Sequence, residues 1–148
     1  MKKKLENFRK QSKNYLFPSF STIAGSGPNG AIIHYRSNKK SNRKLNKDHL
    51  LLVDSGGQYK WGTTDITRTI SFGDPSKKTK ELYTRVLKGH IAVAMSKIDK
   101  LKNGNNIDKL ARKSLNSINL DYRHGTGHGV GFSVSYTHLR AHETVYNL

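Results

Sequence analysis

A chain of 148 residues supports one domain with a modest core, burying roughly two-thirds of the surface its unfolded form exposes. It has no cysteine, which excludes disulfides and thiolate metal sites; no apolar run approaches the roughly 20 residues of a membrane span, and the basic start MKKKLENFRK lacks the apolar segment of a secretory signal. The net charge of +17 favours nucleic-acid binding, but the lysines at Lys2, Lys3, Lys4, Lys39, Lys40, Lys77, Lys78 and Lys102 are scattered without interleaved aromatics, so a solvated lysine-rich surface on a cytoplasmic protein, with no membrane or nucleic-acid partner, is the expectation.

Leu5, Phe8, Tyr15 and Leu16 fall loosely at helical spacing and predict a helical lead-in over residues 1–16, closed by Pro18. Gly25, Gly27, Pro28 and Gly30 carry turn chemistry, and the β-branched run from Ala31 to Tyr35 predicts a strand bearing His34. SNKKSNRKLNKDH is a polar connector. Leu50 to Val53 then predict a short buried strand that ends on Asp54, followed by a turn at Ser55, Gly56 and Gly57.

From Thr63 to Phe72 the pattern alternates: Ile66, Arg68, Ile70 and Phe72 on one face, Asp65, Thr67, Thr69 and Ser71 on the other. Paired as antiparallel neighbours, these two strands bring Asp54 and Asp65 together on a polar face. Ser76 is placed to cap a long helix whose stripe is Tyr83, Val86, Leu87, Ala94, Ile98 and Leu101, with Gly104 as its stop. A second helix is expected over residues 107–115, on Ile107, Leu110, Ala111 and Leu115.

A lone aspartate at a strand end ordinarily serves turn chemistry. Two of them on adjacent strands, followed by the glycine-flanked pair His124 and His128, favour a divalent-cation site in a hydrolase, since carboxylate oxygen and imidazole nitrogen suit such ions. His128 is the favoured ligand and His124 a substrate contact. His90, within the long helix, reads as structural.

SFSTIAGSGPNGAIIHYR, LLLVDSGGQYKWGTTDITRTISFG, YTRVLKGHIAVA and YRHGTGHGVG together resemble the catalytic domain of aminopeptidase P, the Xaa-Pro aminopeptidases of the creatinase and methionine aminopeptidase superfamily, from about Phe17 to Gly131. The resemblance implies a partial pita-bread α+β fold, an antiparallel sheet with covering helices. It also implies two divalent metal ions, manganese first and zinc or cobalt as alternatives. The implied substrate is a peptide with proline at its second position, and a homodimer of the full-length parent stays open. Carried across, Asp54, Asp65 and His128 are metal ligands, Asp65 bridging, and His34 and His124 are catalytic residues lining the substrate site.

The family pattern continues into a VHEGP segment and two later glutamate ligands, whereas this chain reads FSVSYTHLRAHETVYNL, with His142 and Glu143 a late imitation of the VHE triplet. Residues 17–133 are therefore expected to be a catalytic-domain fragment, residues 134–148 a non-native tail of the kind seen on metagenome-derived reading frames, and the fragment itself inactive. Trp61 stands where the family usually has aspartate. Two alternatives are a non-catalytic module of the same fold whose basic surface takes RNA or protein, and another hydrolase of the superfamily.

Overall fold

In the computed structural model, which describes residues 1–97 and 103–134, the first helix α1 spans only Lys2–Arg9. The chain turns at Ser12, whose carbonyl accepts from the Tyr15 amide at 3.1 Å, and Tyr15–Phe17 is strand β1 rather than the end of a helix. What reads as a helical stripe is used differently: Tyr15 and Phe17 pair with a distant strand at Gln58–Tyr59, and the Tyr15 and Tyr59 rings meet edge to face at 5.5 Å. Cross-strand aromatic contact outweighs a weak helical period.

Strand β2, Ile23–Ser26, arrives earlier than the sequence suggests, and Gly25 lies within it instead of in a turn. A Cβ at Gly25 would stand 2.5 Å from the Asn29 carbonyl oxygen, so only glycine lets the following 3-10 helix, Gly27–Ala31, fold back onto the strand. The run from Ala31 to Tyr35 is consequently not a strand, and His34 sits in a turn. Tyr35 decides this: its buried hydroxyl donates to the Ser41 carbonyl at 2.8 Å and accepts from the Asn29 amide at 2.9 Å, while Ile32 and Ile33 face outward.

Strand β3, Leu50–Ser55, is central, with β2 on one side and β6, Ile66–Ser71, on the other, all antiparallel. Between β3 and β6 the chain makes the small hairpin β4, Gln58–Tyr59, and β5, Gly62–Thr63, which joins β1 as a second three-stranded sheet. Ile23, Tyr35, Leu51 and Val134 form the core around these strands. Buried Gln58 stitches the hairpin: its amide donates to the Tyr59 and Gly62 carbonyls, and its carbonyl accepts from the Thr63 hydroxyl and the Ser133 amide. Arg9 donates to the Ser55 hydroxyl at 2.8 Å, tying α1 to the residue after Asp54.

These elements, residues 1–74 with 130–134, make one compact unit; residues 75–129 make another. In the second, Ser76 caps α2, Lys77–Ala94, its hydroxyl accepting from the Thr79 amide. Gly104 does not stop a helix but opens one, α3, Gly104–Asn116, because the Asn103 side chain accepts from the Asn106 amide and provides the cap. The helices pack closely at Gly89, buried against Ala111. Ile98, Leu101, Lys102 and the expected tail beyond Val134, with His142 and Glu143, lie outside the described residues. Antiparallel sheets with packed helices give the expected α+β class, and among the described residues no helix is long and apolar enough to cross a membrane.

Candidate functional site

The β3–β6 register places Asp54 opposite Thr67. Asp65 lies immediately before β6, and its carboxyl is close enough to that of Asp54 to share a hydrogen bond with it. The carboxyls interact. Burial pushes the Asp54 carboxyl above its ordinary 3.8; a hydrogen bond with Thr67 opposes this, the charge of Asp65 and a shared hydrogen bond with it add to it, and the charge of His34 lowers it.

Asp54 Oδ1 is buried and has no hydrogen-bond partner among the described residues. An orphaned carboxylate oxygen is costly in a protein interior. Beside a second carboxylate, this is a donor arrangement that fits a divalent cation, which would satisfy the oxygen and cancel the repulsion. Among the described residues no group of three His, Cys, Asp or Glu side chains forms a ready cage. The first unit thus supplies a carboxylate pair, with His34 near Asp54 and not a third ligand.

His34 occupies the left-handed region, at φ 53°, which is uncommon outside glycine. Such a conformation persists where the surroundings hold it, here the Asn29, Tyr35 and Ser41 cluster on either side of the turn.

His124 and His128 belong to the second unit. The Nδ1 of His124 lies 2.8 Å from the Gly125 carbonyl oxygen and that of His128 lies 2.7 Å from the Gly129 carbonyl oxygen. A carbonyl only accepts, so in each ring Nδ1 carries the hydrogen and Nε2 carries the lone pair in the neutral form. Holding one nitrogen on a backbone carbonyl is how ligating and substrate-binding imidazoles are oriented. Both rings border a cavity of about 460 Å³ whose floor is Val93, Ile107, Ala111 and Leu115. His90 lines the same cavity from α2.

Three contributors have no motif. Thr67, facing Asp54, was marked only by its place on the polar face of the alternating strand. Arg112 and Tyr122 hold the loop before His124, and their readable signal is the four-residue spacing of Asp108 and Arg112 on a helix.

The chain is similar to known proteins. The chain is 49% identical over 132 residues to aminopeptidase P2 of Arabidopsis thaliana, covering 89% of this chain and 19% of that one. It is 52% identical over 123 residues to Xaa-Pro aminopeptidase ApepP of Drosophila melanogaster, covering 83% of this chain and 20% of that one. Among solved structures it resembles the X-prolyl aminopeptidase of Caenorhabditis elegans, described as a cytosolic enzyme with a di-nuclear active site, at 36% identity and TM-score 0.80 over 90% of this chain and 22% of that one. It also resembles the Xaa-Pro dipeptidase of Bacillus anthracis, at 30% identity and TM-score 0.75 over 90% and 37% of the respective chains. The chain thus spans about a fifth of the curated relatives' length, and its fold is part of the pita-bread architecture. The profile of metallopeptidase family M24 matches residues 1–145, and the chain belongs to that family.

Proposed function

We propose that this chain is the metal-binding part of an aminopeptidase that removes the N-terminal residue from peptides with proline in second position, working in the cytoplasm with two divalent cations, manganese foremost. The observation that carries the reading is the orphaned, buried oxygen of Asp54, on β3, beside the Asp65 carboxyl just before β6. The similarity to proteins named for Xaa-Pro cleavage supports the substrate class.

In the first unit Asp54 and Asp65 would be the residues that hold the cations; in the second, His128, its Nδ1 held on the Gly129 carbonyl, would offer Nε2 as a ligand. Bound there, the cations supply Lewis acidity and a nucleophile at neutral pH. His34 in the first unit and His124 in the second would each serve, when protonated, as a hydrogen-bond donor to the carbonyl oxygen of the scissile amide as negative charge develops on it. The tertiary Xaa-Pro amide has no N–H, so recognition rests on its carbonyl and on ring shape.

Two carboxylates offset only two of the four positive charges of a metal pair. The 148-residue chain is therefore expected to bind a cation without turning over substrate. Calorimetric titration with Mn²⁺ should show binding to the chain and its loss in Asp54→Asn and Asp65→Asn; unchanged binding in both variants would sink the site. A protein carrying this segment at the full length of its relatives should cleave Xaa-Pro peptides and spare peptides without proline at the second position.

A further inference from the structure

The guanidinium of Arg112, on α3, engages all three nitrogens, two of them with the segment 121–124 that leads into the histidine pair. Its side chain is 13% exposed. Nε donates to both oxygens of Asp108, at 2.9 and 2.8 Å, one turn earlier on the same helix. Nη1 donates to Asp121 Oδ1 at 2.8 Å and to the Tyr122 carbonyl at 2.7 Å, and Nη2 donates to the His124 carbonyl at 2.8 Å.

The same group lies over the Tyr122 ring, 4.0 Å from its centre, and that ring stacks on the His124 imidazole with centroids 4.8 Å apart and planes 25° from parallel. A second chain of contacts closes the loop. The Thr126 hydroxyl donates to Asp108 Oδ1 at 2.5 Å, so its 2.6 Å contact with the Tyr122 hydroxyl has tyrosine as the donor, one hydroxyl carrying one hydrogen. Backbone carbonyls at 122 and 124, the ring between them and the threonine beyond are thereby fixed to one planar cation. A lysine could reach one of these acceptors but could not present a planar fork to four or stack on the ring.

We propose that Arg112 is the positioning residue of the histidine loop: through the Tyr122 ring and the His124 carbonyl it sets the direction in which the His124 imidazole points. The catalytic meaning of that direction rests on the aminopeptidase reading, whereas the orientation itself does not. Asp108 and Thr126 act through Arg112 and Tyr122, and none of the four needs to touch substrate.

A purely structural role would make Arg112 equivalent to Arg85, which also pairs with a carboxylate one turn away, Glu81 at 2.8 Å, and donates to the Ser114 carbonyl at 3.1 Å. The test compares Arg112→Lys with Arg85→Lys in the intact chain by imidazole ¹H–¹⁵N spectra, backbone amide exchange and thermal unfolding. Both variants should lower the melting temperature. Only Arg112→Lys should replace the Nδ1–H form of His124 with an averaged signal and raise amide exchange over residues 122–126 about tenfold. A His124 spectrum unchanged in Arg112→Lys would overturn the proposal.

Should Arg112→Lys fail to fold, Tyr122→Leu and Tyr122→Phe decide the matter. Leucine keeps the carbonyl contacts and removes the stack, so His124 should be released; phenylalanine keeps the stack, so His124 should stay ordered. The same His124 spectrum in both would refute the mechanism. None of these readouts needs metal or turnover, so their failure is distinct from failure of the aminopeptidase reading.

Discussion

Asp54 is poised between two states of the molecule. Its carboxyl sits above the ordinary 3.8 because burial, and then Asp65, penalise its charge in the folded chain. The folded chain therefore holds that proton more tightly than the unfolded one. In metal-free protein, stability is full below pH 3.8 at this site and is lost as pH rises through the raised folded value. Above that raised value the penalty is present, so there Asp54→Asn should raise the melting temperature of metal-free protein and abolish the further rise that Mn²⁺ gives to the native chain. Thermal unfolding with and without chelator checks this; a melting temperature lowered by Asp54→Asn in chelator would show that the carboxylate stabilises the apo fold. His34 sits in a left-handed turn and its charge acts on the same carboxyl.

Between elements, two close fits set the architecture of the separate units. A Cβ added at Gly89 would lie 2.1 Å from the Ala111 carbonyl oxygen, so Gly89→Ala must push α2 from α3. A loss of about 1–3 kcal/mol in urea unfolding is expected, typical of overpacking, despite alanine's better helix propensity. In the first unit, Gln58→Leu would strand the Thr63 hydroxyl hydrogen and the Tyr59 and Gly62 carbonyls and leave the Ser133 amide only its longer 3.3 Å bond to Thr63. About 1–3 kcal/mol should be lost there too, because buried polar groups without partners lose their hydration uncompensated. Loosened amide exchange at the β4–β5 hairpin would accompany it, and unaltered protection would show that the glutamine is dispensable.

At the scale of the whole chain, 27 basic side chains face 10 acidic ones, and exposed lysines repel across a polar surface. Salt should therefore stabilise the fold: raising KCl from about 0.01 to 0.15 M shortens the screening length from roughly 30 to 8 Å. A melting temperature that stays flat or falls over that range would mean the charges are locally balanced. Apolar faces also remain open, with Ile66 and Ile70 on β6, Phe72 just beyond it, and Tyr83, Val86 and Leu87 on α2 all more than 40% exposed, as the sequence's amphipathic patterns place them but without the cover those patterns imply. What the sequence determined by itself was local: the strand that carries Asp54, although it runs on through Ser55, the alternation over Ile66–Ser71, although Thr63 belongs to the separate strand β5, the Ser76 cap and the glycine-flanked histidines, since each is a short-range period or a turn residue acting on its own neighbours. Only tertiary structure decided that Tyr15 to Phe17 form a strand, that Tyr35 rolls the Ala31 to His34 run into a turn, that Gly104 begins a helix and that Arg112 commands the histidine loop. The reason is physical: each of these outcomes is set by a contact or cap that no periodicity records, Tyr15 with Tyr59, Tyr35 with Ser41, Asn103 with the Asn106 amide, Arg112 with His124.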